Sequence, residues 1–399
     1  MTSFLIRKDP HLSVRYLSLT SQLPAALRTS TPKIRVRFFW ARNAIYHGLR
    51  FLGIPAGSKV LLPAYLCKAA VQPIAAYGAE PVFYAVHRDC APDLADLESR
   101  IDSRTRMVMA VHYFGFPHCM RELRALCDRY GLLLLEDCAH VLEVDPVERP
   151  LGTLGDASVF SWRKFLPLYD GGELLLNRRT QESAGDISWQ PESLLFTLKA
   201  IKNLLEEIAP ARVSEGRIEE ETLSKDGTLE SRAGSNETSP LRVDRNGSAF
   251  VMGHANFPMS RVSRFFFPHF SLAKIGSKRR DNYLYLQARL SVIGGVRSLH
   301  EELTPGVVPW MFPVFIGESP NMHRSLRELG IPAVSWGGVR HARFSSRDFP
   351  NADFLYENLV FLPIHQDLGE KEMNLIVEAV EKARRSARST VSISRPAEA

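Results

Sequence analysis

A large, mainly parallel α/β sheet domain followed by a smaller C-terminal α+β domain is the fold class this sequence predicts, and three observations predict it. Between Arg42 and Asn177, short runs that are apolar throughout alternate with helical patterns of ten or so residues, as in a sheet covered on both faces. From about Pro309 strand-like and helical patterns return on a smaller scale. The length, 399 residues, exceeds one ordinary core and suffices for two domains.

Taken in order, residues 42–53 read as a helix because Ala44, Ile45, Leu49 and Leu52 fall on one face. An apolar strand (Lys59 to Pro63), a helix (Ala69 to Ala76) and a strand (Pro81 to Val86) follow. A helix at Leu94 to Ile101 leads to a strand at Arg106 to His112. The helix Cys119 to Tyr130 stops at Gly131 and runs at once into the strand Leu132 to Glu136. Strands at Ala157 to Trp162 and Gly172 to Leu176 close the series. Residues 193–207 have an amphipathic pattern, whereas Ser214 to Ser248 is polar with hardly an aromatic residue and reads as a flexible insertion. Beyond Phe250 come a basic helix (Leu272 to Leu290), a strand (Trp310 to Ile316), a helix (Met322 to Leu329), a strand (Leu359 to Pro363) and a closing helix (Glu370 to Ala387). The expected division is therefore an N-terminal segment 1–40, a large domain 41–190, an amphipathic helix 191–213, an insertion 214–249, a return to the large domain with a connecting helix over 250–308, a small domain 309–387 and a frayed tail 388–399.

Composition narrows the function classes. Hydrophobic residues at 45% and charged residues at 24% are the proportions of a globular protein, not a disordered one. No apolar run approaches bilayer length, and Arg7, Lys8 and Asp9 stand where a signal peptide needs its apolar stretch, so a cytoplasmic location away from membranes is expected. Cys67, Cys90, Cys119, Cys127 and Cys138 are odd in number, without CxxC spacing or a matching His pair; reduced thiols and no metal site are expected. A formal charge of +6 suits an anionic ligand, although part of it lies in the basic tail, and no interleaving of basic and aromatic residues points to nucleic acid.

In parallel sheets a ligand sits beyond the carboxyl ends of the strands. There the run Leu132 to Leu135 enters Glu136-Asp137-Cys138-Ala139-His140. A carboxylate at the end of a buried strand needs a cation or hydrogen-bond donors. Asp137 could meet a protonated pyridine nitrogen, cap the next helix or bind metal. The next strand leads through Ser161-Trp162-Arg163 to Lys164 and then Asp170-Gly171-Gly172. A lysine beside a sheet end can be desolvated and become nucleophilic, and paired glycines allow a bound ring or phosphate to approach the backbone. The Asp–Lys pair on consecutive strand ends is more specific than either residue alone.

Four segments together resemble the DegT/DnrJ/EryC1/StrS sugar-nucleotide aminotransferases, which have the fold-type-I architecture of pyridoxal-phosphate enzymes. They are Gly57-Ser58-Lys59-Val60-Leu61-Leu62-Pro63-Ala64-Tyr65; Gly78-Ala79-Glu80-Pro81-Val82-Phe83; Val111-His112-Tyr113-Phe114-Gly115-Phe116-Pro117 running on to Glu136–His140; and Phe160-Ser161 through Lys164 to Gly172. Gly330-Ile331-Pro332 and Leu362-Pro363-Ile364-His365 resemble small-domain segments. The resemblance implies pyridoxal 5'-phosphate as cofactor, with Lys164 as its covalent anchor and proton carrier, and Asp137 on the pyridine nitrogen. It implies His140 beside the ring, or else as a hydrogen-bonded supporting histidine. Ser161 would contact the phosphate. Arg42 and Asn43 stand in place of a Gly-Thr pair at a helix start that holds the phosphate, and Cys67 stands where an aromatic ring often covers the cofactor. Asn256 would reach the phosphate across a homodimer interface. The implied substrates are an amino-acid donor, glutamate above all, and a nucleotide-linked keto-sugar.

Departures from the family pattern are the bulkier Arg42-Asn43, Cys67, Pro258 in place of an arginine, and a segment two residues short between Ser161 and Gly171. They leave room for a fold-type-I enzyme with a non-sugar substrate or a non-catalytic regulatory relative.

Overall fold

The structure, a computed structural model, describes residues 6–18, 34–142, 151–178, 184–192, 194–208, 250–317, 319–336, 340–341 and 343–393. The insertion expected over 214–249 lies outside the described residues.

The large sheet is built from β1 (Ile34–Phe38), β2 (Lys59–Pro63), β3 (Glu80–Tyr84), β4 (Thr105–Val111), β5 (Leu133–Cys138), β6 (Ala157–Ser161) and β7 (Gly172–Leu176), in the order β1-β7-β6-β5-β4-β2-β3. Pairings from β3 through β6 are parallel, and β7 runs antiparallel to both its neighbours. The predicted α/β class is thus the observed one. Interior strands bury nearly every side chain, as expected for a sheet covered on both faces. The covering helices are α1 (Ala41–Phe51), α2 (Lys68–Tyr77), α3 (Leu94–Ser99) and α4 (Met120–Tyr130). Their ends follow local chemistry. Asp93 caps α3 by accepting from the N–H groups of Ala95 and Asp96, and α4 stops at Gly131 in the left-handed region, φ 63°.

β1 lies inside the N-terminal segment 1–40, for which no element is expected from sequence. Its signal is the alternation Ile34-Arg35-Val36-Arg37-Phe38, a half-buried edge strand. The two arginines on its polar face approach buried Glu173 of β7, Arg37 Nε at 3.3 Å and Arg35 Nε at 3.6 Å.

α5 (Leu194–Ile208), α6 (Arg261–Phe266) and α7 (Leu272–Leu290) follow. The small sheet has the order β10-β9-β8, from β8 (Val296–Ser298), β9 (Phe312–Ile316) and β10 (Leu359–Leu362), packed with α8 (Met322–Glu328), α9 (Pro350–Asn358) and α10 (Glu370–Ile393). Its edge strand β8 lies before the boundary placed at 309; three residues are too few to leave a periodic signal. α10 runs past Ala387 to Ile393, into the stretch expected to be frayed, because no glycine or proline interrupts it before Pro396. Among the described residues no helix is long and apolar enough to cross a membrane.

The main apolar core runs through both sheets. A second cluster, with Trp162, Phe165, Leu166, Phe267 and Ile275, lies under the turn that carries Lys164. Gly172 decides how that turn meets α1. A Cβ there would stand 2.1 Å from the Trp40 carbonyl carbon and 2.4 Å from the Ala41 nitrogen. Gly172 thus admits the protein's own backbone at the start of α1.

Gly172→Ala should therefore cost about 3 kcal/mol or more, at the upper end of overpacking. Urea unfolding of the two proteins measures this, and equal midpoints would show that the close approach can relax.

Candidate active site

The carboxyl ends of β5 and β6 and the turn after β6 bring Asp137 and Lys164 into one electrostatic field. Asp137 is buried, and its Oδ1 accepts from the Ala139 N–H at 2.9 Å. Burial raises its pKa, while Lys164, that N–H and His112 lower it. Lys164 sits in the short helical turn Trp162–Lys164. Burial lowers its pKa to about 8; Asp137 and then Cys67 act in the opposite sense, and Arg163 and Arg42 add to the lowering. An amine so placed is neutral in about a tenth of molecules at pH 7 and in about half near pH 8, far more than an ordinary lysine, and a nucleophile requires that neutral form.

His140 is fixed by two neighbours. Its ring lies 4.1 Å from that of Trp310, nearly parallel at 18°, and its Nδ1 accepts from the Phe114 N–H at 3.3 Å. Burial, reinforced by Lys164, holds its pKa well below the usual histidine value. The ring is neutral, and the accepting Nδ1 leaves its proton on Nε2. Phe114 itself occupies the left-handed region, φ 57°, a conformation that costs about 1–3 kcal/mol. It places the Phe114 N–H on His140 and the Phe114 carbonyl on the Trp310 N–H, at 3.0 Å. Lys164 Nζ lies 4.7 Å from the centre of the Trp310 ring, so one indole borders both the lysine and the histidine.

Of the other residues singled out by sequence, Ser161 is buried and begins the lysine turn, Cys67 stands at the N-terminus of α2, and Arg42 stands in the first turn of α1 with its guanidinium 4.3 Å from the Trp40 ring. α1 has no side-chain cap. Its open N–H groups, drawn to the lysine turn by Gly172 and beside Arg42, suit a phosphate. Asn43 and Asn256 take part elsewhere within the chain. Asn43 Nδ2 donates to the carbonyls of His254 (2.6 Å) and Ala255 (3.1 Å). Asn256 Oδ1 accepts from His47 Nε2 at 3.0 Å, and its Nδ2 donates to the Ser188 carbonyl at 3.0 Å. This net joins the segment around Asn256 to the buried side of α1.

On the opposite face of β5, Glu136 accepts from the N–H groups of Gly152 (2.9 Å) and Gly155 (2.5 Å), and pairs with His112 Nε2 at 2.9 Å. With Cys138 these residues form a buried group close enough to hold a metal ion, but hydrogen bonds already engage both oxygens of Glu136. Two residues went unassigned by sequence reasoning. Trp310, taken only as the start of a strand, has no signal beyond the Pro309-Trp310 step. Arg279 has one: it falls in line with Leu272, Ile275, Tyr283, Leu286 and Leu290 on the buried face of α7.

Known proteins resemble this chain in sequence over its large domain and in fold over most of its length. Residues 41–184 match the model of the DegT/DnrJ/EryC1/StrS aminotransferase family. GDP-perosamine synthase of Vibrio cholerae is 34% identical over 137 residues, covering 34% of this chain and 37% of that protein. The UDP-N-acetyl-3-dehydro-alpha-D-glucosamine 3-aminotransferase of Acidithiobacillus ferrooxidans is 31% identical over 157 residues, 37% of this chain and 42% of the relative. Each match spans less than half of the relative's length. Spr1654 of Streptococcus pneumoniae, solved in its PLP-form, superposes with a TM-score of 0.64 at 16% identity over 96% of this chain and 99% of that one, and so shares the fold.

Two outcomes test the electrostatics. Asp137→Asn removes the charge that holds the lysine's pKa up, so the midpoint for labelling of Lys164 by trinitrobenzenesulfonate in cofactor-free protein should fall below about 8; an unchanged midpoint would show that the groups share no field. Asp170, buried and receiving the Ser260 N–H at 3.2 Å, has its pKa raised to about 7 by burial. The folded state then holds its proton more tightly than the unfolded one between pH ~4 and ~7, and this contribution to stability is lost as pH rises through that window. Urea midpoints should therefore favour wild type over Asp170→Asn more at pH 5 than at pH 7.5.

Proposed function

From the family match over residues 41–184, we propose that this chain is a pyridoxal-phosphate-dependent aminotransferase that carries an amino group from an amino acid, glutamate first among donors, to a nucleotide-linked keto-sugar. The observation that carries the reading is the desolvated Lys164 amine held at the sheet's carboxyl edge in the field of Asp137. The cofactor, when bound, supplies a carbonyl that takes up the amino group and a pyridine ring that spreads the electron pair left by a departing proton.

The protein's own residues do the rest. Lys164, poised between its charged and neutral forms, is the nucleophile that anchors the cofactor and afterwards the base and acid that moves a proton at the donor's α-carbon. Asp137 provides the fixed negative charge that keeps a pyridine nitrogen protonated. His140, with its proton on Nε2, would be a hydrogen-bond donor beside the ring. The open backbone at the start of α1 and Ser161 take the phosphate, and Arg42, its guanidinium over Trp40, adds positive charge beside it. Trp310 closes one side of the slot and keeps water from the lysine. Asn43, Cys67 and Asn256 support this cup, the first and last by fixing the segment 254–256 against α1. The GDP- and UDP-linked products and substrates in the relatives' names support a nucleotide sugar as acceptor, and a homodimer is the assembly we expect.

The test is the absorbance of wild type beside Lys164→Ala after addition of pyridoxal 5'-phosphate and desalting. Wild type should keep a yellow band that glutamate bleaches, and the variant should keep none. A wild type that never holds the cofactor refutes the reading. Bleaching by glutamate without turnover of any keto-sugar nucleotide in a panel would keep the enzyme class and replace the acceptor.

A further inference from the structure

A buried cation that touches no carboxylate among the described residues stands directly behind the lysine. Arg279 of α7 is 1% exposed. Its Nε donates to Gln366 Oε1 at 3.0 Å and its Nη1 to the Trp310 carbonyl at 2.9 Å. Its Nη2 faces the carbonyls of Lys164 (3.4 Å) and Phe165 (3.5 Å), and the guanidinium lies 4.9 Å from the centre of the Phe165 ring. Burial lowers its pKa, opposed from further off by Asp367 and Asp9. Gln366, 2% exposed, donates from Nε2 to the Phe165 carbonyl at 3.0 Å, and its own carbonyl accepts from the Tyr16 hydroxyl at 2.5 Å.

Taking a guanidinium out of water without an ion partner is costly, and the cost is offset only where several acceptors meet its planar fork. Here those acceptors are the backbone of the reacting lysine, of its successor, and of the tryptophan that borders the lysine's amine. One rigid group thus sets the distance between the two sides of the slot. We propose that Arg279 is a positioning residue for Lys164, and that Gln366 orients Arg279 and holds the same turn from the other side. The inference rests on Lys164 being the reacting amine. It does not require the cofactor to be present, because the bonds are to backbone carbonyls.

Arg279→Lys separates geometry from charge, since it keeps the cation and loses the fork; Gln366→Leu keeps the volume and removes both of its side-chain bonds. In cofactor-free protein, the trinitrobenzenesulfonate labelling midpoint of Lys164, read peptide by peptide against pH, should rise by roughly one unit in both variants as the loosened turn lets the amine reach water. In the cofactor-loaded protein, the rate constant for bleaching by glutamate should fall roughly tenfold or more, with the half-saturating glutamate concentration changed less than about twofold, as misplacement of a reacting group predicts. A lower melting temperature with an unchanged labelling midpoint and an unchanged bleaching rate would overturn the proposal and leave Arg279 a structural residue. If Arg279→Lys does not fold, Gln366→Leu decides by the same readings. A wild type that binds no cofactor sinks the aminotransferase reading alone, because the labelling midpoints still report on Arg279.

Discussion

The mutual field of Lys164 and Asp137 sets the terms for everything around it. Both groups lose water, and each loss pushes its owner toward the neutral form, the amine downward in pKa and the acid upward. Their attraction opposes both effects. An amine wholly desolvated without the acid would be a poor proton carrier, and an amine left in water would stay charged. The intermediate state exists because two adjacent parallel strands end side by side and the chain after β6 turns at once into a short helix. It is kept by the bordering indole of Trp310 and by a phenylalanine, Phe114, held in a backbone region that such side chains rarely adopt.

The start of α1, where we propose that the phosphate binds, shows a second constraint, one of volume. A side chain at position 172 would collide with the backbone of Trp40 and Ala41, so the missing Cβ lets the first turn of α1 lie against the lysine turn. Arg42 and Asn43 are larger than the small pair the family resemblance would place there. Their side chains turn away in different directions, Arg42 onto Trp40 and Asn43 toward the carbonyls of residues 254 and 255. What remains for an anion is the backbone of the helix start, which does not depend on side-chain size.

Much of this architecture was legible in the residues. Interior strands such as Lys59–Pro63 announce themselves because both faces are buried and every position must be apolar. Asp137 and Lys164 were legible because sheet ends are where polar residues can interrupt such runs. Edge strands gave weaker signals: β1 alternates, but its arginines resemble a solvated stretch until Glu173 is placed beside them, and β8 is too short for any pattern. The bordering role of Trp310 was hidden because it depends on how the small domain's entry packs against the Phe114 turn, a contact between residues 196 positions apart that no local periodicity encodes. The need for glycine at 172 was legible, but that the chain's own backbone at Trp40 and Ala41 crowds it was not, because that contact spans 131 or 132 positions.

The hydrogen bonds around the lysine turn also impose an order on assembly. The seven strands of the large sheet are complete once residue 176 has been made, so that sheet can collapse early. Yet the bonds that pin the turn come from Arg279, 115 positions beyond Lys164, and from Gln366, 201 positions beyond Phe165. Closing loops of that length is slow and follows the local contacts. During synthesis the nascent chain would carry a formed sheet with a loose, water-exposed lysine, and the amine would gain its reactive environment only when the last helices dock. Competence would then appear late and abruptly, as a property of the finished chain and not of the domain that bears the lysine.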